Sequence, residues 1–324
     1  METILVRCLA ALLIANSHLT DYYPIPQLAG DGLLGNSLFF LLSGYGLAKG
    51  DQHSRRPALD WFSRRLRKIY PSVFIVLAAT ALLDFQSLWI SRLSDVPWRI
   101  IWPPQYPFIM QITTFYVIYF LWSRTSLARW PLALCLGLVP FYILGWLRSS
   151  NELRTHVLHW FFYFQVMMLG VVVARYRVNE RKISNKLIFA GLFLSSLAYL
   201  GVKFLLSRRG LAVEFVSVLH LLVLPVMYFM LLLSASGPVI GWLGRGGQVA
   251  IFATWLAGVT LEVYLVHYPV LENKYVLAAP RPLNLILFWV LTFALTWLVA
   301  TLRDRLLRWF DQYKAGLSHR KIAA

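Results

Sequence analysis

Two ionisable residues interrupt the apolar opening segment of this 324-residue chain, Arg7 and His18, with ten residues between them. A guanidinium keeps its charge and binds phosphate or carboxylate through paired N–H groups. A neutral imidazole takes up and returns protons near neutral pH, and it can carry a transferred group. Ionisable groups are expensive in an apolar stretch, so both point to function. On a helix, eleven positions make about three turns plus 20°, which puts the two side chains on one face about 16 Å apart along the axis. That is too far for a mutual ion pair and leaves one group toward each end of the segment.

Other chemistry-bearing residues are spaced along the chain. Arg65 and Arg67 form an Arg-x-Arg pair flanked by Arg64 and Lys68. Asn36, Phe40 and Ser43 fall at i, i+4 and i+7, one helical face, and Gly35, Gly44 and Gly46 near them permit close helix approach. Glu262 lies deep in a late apolar run, where a carboxylate is either protonated or paired with an arginine. His267 follows five residues later, turned about 140° from it on a helix, which predicts different neighbours. Asp84, Gln111, Gln165, Lys203 and His220 read individually as helix–helix hydrogen bonds or pore-lining groups. The two cysteines, Cys8 and Cys135, sit in different apolar segments with no CxxC and no histidine cluster, so neither a disulfide framework nor a metal site is expected.

The elements that must position these residues are membrane helices. Apolar residues make up 59% of the chain, with 13 tryptophans, and the mean hydropathy is +0.62. Those values exceed what a soluble globule of this length shows. A net charge of +17 would suggest nucleic acid for a soluble chain. Here the basic residues lie between apolar runs, where they meet lipid phosphates or set topology, so membrane lipids and not nucleic acid are the expected partners.

Ten runs approach spanning length: 4–20, 32–48, 70–90, 106–123, 131–147, 159–175, 187–206, 212–234, 250–271 and 283–302. With the N-terminus inside, 21 Lys and Arg fall on the cytoplasmic side and eight on the other. That asymmetry follows the positive-inside rule. The expected fold is all-α, a polytopic integral membrane bundle of about ten transmembrane helices with both termini cytoplasmic. It forms one domain over 1–324, ending in a basic amphipathic tail at 303–324 that reads as an anchor on anionic lipid. The opening Met1-Glu2-Thr3-Ile4 lacks a basic leader region and a cleavage site, so the first segment is read as retained.

Three stretches together resemble the opening of the membrane-bound acyltransferase-3 family. They are Arg7-Cys8-Leu9-Ala10 followed by His18, Asn36-Ser37-Leu38-Phe39-Phe40-Leu41-Leu42-Ser43-Gly44-Tyr45, and Phe62-Ser63-Arg64-Arg65-Leu66-Arg67-Lys68-Ile69-Tyr70-Pro71. Leu261-Glu262-Val263-Tyr264-Leu265-Val266-His267-Tyr268-Pro269 is similar to that family's penultimate helix. The resemblance implies a bacterial inner-membrane O-acyltransferase that moves an acyl group, most simply acetyl, from cytoplasmic acyl-coenzyme A to a hydroxyl of a cell-envelope polysaccharide or lipid-linked glycan.

The co-substrate would be acetyl-CoA or another acyl-CoA, with no metal. In that scheme His18 is the base that deprotonates the hydroxyl or a transient acyl carrier, two roles the sequence leaves open. Arg7 binds the donor's phosphates or snorkels to lipid. The resemblance assigns Arg65 and Arg67 to donor binding, whereas read alone they belong to a positive-inside cluster. Asn36, Ser43, Tyr45, Glu262 and His267 are candidates for the substrate channel. Two other classes stay open: a transporter or flippase in which Arg7 and His18 form a binding and proton-relay pair, and a scaffold subunit of a polysaccharide-export complex.

Overall fold

A computed structural model describes residues 3–53, 56–83, 96–148, 151–176, 183–209 and 216–322. Its described residues are helical, with no strand among them. The helices are α1 (Ile4–Asn16), α2 (Gly32–His53), α3 (Ala58–Leu83), α4 (Val96–Ile101), α5 (Pro107–Ser123), α6 (Pro131–Arg148), α7 (Asn151–Arg175), α8 (Asn185–Arg209), α9 (Val216–Ser234), α10 (Gly237–Gly244), α11 (Gln248–Gly258), α12 (Thr260–Leu271), α13 (Lys274–Leu277) and α14 (Leu283–Ile322). Each apolar run expected from the sequence is mainly helical where it is described, although 17–20 are turn and 84–90 and 212–215 lie outside the described residues. Among the described residues, two segments, Asn185–Leu205 and Leu283–Tyr313, are long and apolar enough to cross a membrane by length and composition. The count rises to four if two broken pairs, α9 with α10 and α11 with α12, each make one span.

Three boundaries differ from the sequence expectation. Helix α1 stops at Asn16, because the Asn16 side chain is committed to the following loop: its amide donates to the Leu28 carbonyl at 2.8 Å and its oxygen accepts from the Tyr23 hydroxyl at 2.7 Å. His18 therefore sits in the turn beyond the helix, its N–H donating to the Ala15 carbonyl at 3.4 Å, and the helical face expected to carry it together with Arg7 ends before it. The ninth run is interrupted at Val259, the residue between α11 and α12. The basic tail is no separate surface helix but the continuation of the 40-residue α14.

The chain forms two compact units. The first comprises Met1–Ile14, Asp31–Arg55 and Gln111–Gly258. Its closest helix pair is α2 with α7, where glycines let the backbones touch: a Cβ on Gly44 would strike the Met167 carbonyl, and one on Gly170 would strike the Leu41 carbonyl. Such small-residue seams gain their stability from many short van der Waals contacts. Phe40 fills the space beside them, its ring 4.9 Å from Tyr163 and 5.3 Å from Phe115. On α7, Gln165 donates to the Cys135 carbonyl of α6 at 3.0 Å. Lys203, unexplained by its sequence context, reaches Asp31 at 2.6 Å, and Tyr199 on the same helix donates to the same carboxylate oxygen at 3.2 Å. Asp31 holds a left-handed backbone (φ 71°) immediately before α2.

The second unit comprises Ala15–Gly30, Arg56–Met110 and Val259–Ala324. Here α12 packs against both α3 and α14, which also meet each other. Trp61 of α3 is wholly buried. Asp60, in the first turn of α3, is bound by Arg64 at 3.0 Å and lies within 3.5 Å of Arg56. The hydrogen bond from Arg64, with the charges of both arginines, holds its carboxyl below the usual range, and a carboxylate also suits a helix N-terminus.

Candidate active site

The C-terminal half of α12 presents Tyr264, His267 and Tyr268 at i, i+3 and i+4, one helical face. His267 is fully buried, at 0% exposure. Its Nδ1 lies 2.7 Å from the Tyr264 carbonyl oxygen, and its Nε2 has no hydrogen-bond partner among the described residues. Because a carbonyl only accepts, Nδ1 carries the proton and Nε2 a bare lone pair in the neutral ring.

His18 comes to this face from the loop 17–31. The Tyr268 hydroxyl lies 3.1 Å from His18 Nε2, and the His18 ring stands 4.7 Å from Tyr268 and 5.2 Å from His267. That loop is pinned just after the histidine. Leu19 and Tyr22 are buried, the Tyr22 hydroxyl donates to the Leu271 carbonyl at 2.9 Å, and Arg281 donates to the Asp21 carbonyl at 2.9 Å. Tyr106 closes the far wall, its hydroxyl donating to the Leu265 carbonyl at 3.0 Å and its ring meeting Tyr264 edge-on. His18 and Tyr268 are partly exposed, so the cluster has a buried imidazole behind an accessible one.

Glu262, on the same helix, belongs to a different cluster. Its side chain is 1% exposed, accepts from Ser72 at 2.5 Å and is paired with Arg303, which also donates to Asp304 at 2.9 Å. Of the two states open to a buried carboxylate, the paired one is realised, by an arginine expected in a lipid-facing tail. Ser72, Glu262 and Arg303 tie α3, α12 and α14 together. Arg65 stacks its guanidinium 3.7 Å from the centre of the Trp61 ring and donates to the Trp61 carbonyl at 3.2 Å. Arg67 is ion-paired with Asp311. Phosphate binding by Arg67 requires exchange with that carboxylate.

The remaining expected site residues lie in the first unit. Arg7 is exposed, with no side-chain partner among the described residues. Asn36 hydrogen-bonds the Tyr163 side chain, Ser43 is half-buried, and Tyr45 is buried with Lys49 over its ring at 5.9 Å. Gln111 is buried, Asp84 lies outside the described residues, and so does the side chain of His220. The structure also lines a cavity of about 340 Å³ with Asp51, Gln52, Arg124 and Arg175. These residues cluster at the C-terminal ends of α2, α5 and α7, where Arg175 donates to the Ala128 carbonyl, a placement that answers helix-end carbonyls.

Sequence reasoning missed Tyr268 and Arg303. Tyr264 and Tyr268 do share the i, i+4 spacing with His267 between them, a signal that could have drawn attention to that face. The family model described as an acyltransferase domain matches residues 4–302, nearly the whole chain, and the chain belongs to the acyltransferase-3 family of membrane acyltransferases. Comparison with curated proteins and with solved structures returns no match.

Proposed function

We propose that this protein is an O-acyltransferase of the bacterial inner membrane, with about ten spans and both termini cytoplasmic. It transfers an acyl group, acetyl in the simplest case, from cytoplasmic acyl-coenzyme A to a hydroxyl of an envelope polysaccharide or its lipid-linked precursor. The observation that carries this reading is the placement of His18 against Tyr268 and His267, a partly exposed imidazole held by a hydroxyl 3.1 Å away in a pinned loop. An alcohol is a poor nucleophile near neutral pH and needs such a base.

In the direct route the hydroxyl oxygen bonds to the thioester carbonyl carbon, its proton passes to the imidazole and the carbon–sulfur bond breaks. The thiolate then takes that proton and leaves as free coenzyme A. In the two-step route the imidazole first carries the acyl group. Arg7, Arg65 and Arg67 serve the donor's phosphates in either case, by charge-assisted hydrogen bonds.

The test is purified protein in lipid with radiolabelled acetyl-coenzyme A and envelope glycan stripped of its esters. Wild type should release coenzyme A and label the glycan, and His18→Ala should do neither above background. Undiminished labelling by His18→Ala, or uptake of substrate without thioester consumption, would overturn the assignment.

A further inference from the structure

We infer that His267 is a second binding imidazole, whose Nε2 accepts a hydrogen bond from a hydroxyl of the acyl acceptor next to the one that His18 deprotonates; this rests on the acyltransfer reading above. Four observations carry it. Nδ1 is committed as a donor to the Tyr264 carbonyl 2.7 Å away, so the neutral ring has a single open function, acceptance at Nε2. That atom has no partner among the described residues although the residue is 0% exposed, and a buried acceptor without a donor is disfavoured. Because Nδ1 folds back onto the carbonyl three residues earlier, Nε2 on the opposite edge of the ring points away from the α12 backbone. The His18 ring lies 5.2 Å away, centre to centre, and Tyr268, 4.3 Å from His267, is partly exposed and gives a way in.

The chemistry of this atom selects its ligand. A lone pair repels phosphate and carboxylate oxygens, which excludes the nucleotide end of the donor. It welcomes a neutral O–H at the usual ~2.8 Å, and the next hydroxyl on the same sugar ring then lies within reach of the neighbouring imidazole. One sugar hydroxyl satisfies His267 while a neighbouring hydroxyl of the same sugar, with its proton free, is presented to His18. Tyr268 lies against both rings, its own hydroxyl holding His18 in place.

Two substitutions separate binding from packing. Asn at 267 sets its amide where Nδ1 was, able to donate to the Tyr264 carbonyl, and puts nothing at Nε2. Gln sets its carbonyl oxygen near Nε2 and accepts there. With radiolabelled acetyl-coenzyme A and the ester-stripped envelope glycan, H267N should raise the apparent KM for glycan about tenfold or more while the donor KM stays, and H267Q should stay within about threefold of wild type. A wild-type glycan KM in H267N overturns the inference, as does an equal loss of donor and glycan affinity in both variants, which marks a packing role.

Nitrogen NMR of histidine-labelled wild-type protein gives a readout independent of turnover. His267 should show a protonated Nδ1 and an unprotonated Nε2 that shifts when the glycan is added; a protonated Nε2, or no shift, overturns the inference. If wild type transfers no acyl group, the acyltransfer reading fails while the same titration still decides the role of His267.

Discussion

Tyr268 is the residue most closely coupled to the proposed chemistry. Its hydroxyl meets His18 Nε2 while its ring packs against both histidines, so Tyr268→Phe removes the polar contact and keeps the packing. A net hydrogen bond contributes about 1 kcal/mol, which corresponds to a fall in turnover of about fivefold with folding intact. Single-turnover labelling of the glycan measures it, and an unchanged rate would reduce Tyr268 to a packing residue.

Arg67 offers a second contrast. Arg67→Ala should raise the apparent donor KM about tenfold with little change in saturated turnover, if phosphate replaces Asp311 as its partner. An unchanged donor KM would leave Arg67 with topology and the α14 ion pair. His18 was legible because an ionisable group in an apolar segment stands out. Its neighbours were not, since Tyr268 lies 250 residues away and looks in sequence like an ordinary helix-end aromatic.

Helices α2 and α7 meet through glycines, and substitutions there test the packing directly. Gly170→Ala drives a methyl group into the Leu41 carbonyl and the Tyr45 amide, so the helices must separate along their seam. The expected outcome is a marked loss of folded protein in detergent thermal melts. Gly46→Ala, with nothing within 4 Å of the new methyl, should be neutral or stabilising by about 0.5–1 kcal/mol through helix propensity. The proposal of close approach in the glycine-rich second run was readable from residue size. Its partner, α7, was not, because glycine spacing carries no record of which helix it faces.

The Ser72–Glu262–Arg303 tie between α3, α12 and α14 gives a further prediction. Arg303→Met leaves a buried carboxylate without its cation, a loss of about 3 kcal/mol, and adding Glu262→Gln should recover part of it. Melting temperatures of the single and double variants decide the matter, and equal stability of Arg303→Met and wild type would show the pair to be idle.

At the scale of the whole chain, the proposed arrangement puts both termini and the 49–69 connection in the cytoplasm. Reporter fusions should be active as cytoplasmic markers at residue 324 and as external markers at Lys274. An external signal at residue 324 would remove one span from the count and scramble the charge asymmetry that supports it. Composition and periodicity sufficed for the all-helical class and for where each apolar run lies, because burial of backbone polar groups in an apolar setting leaves helix as the only local solution.

Motif spacing sufficed for membership of the acyltransferase family. What needed the tertiary structure was every pairing across sequence distance: Lys203 with Asp31, Glu262 with Arg303, Arg67 with Asp311, and His18 with Tyr268 and His267. Each such pair is a choice among many chemically equivalent partners. Local sequence sets helix and turn through short-range sterics and hydrogen bonds, whereas that choice is made by which helix faces come together when the chain closes.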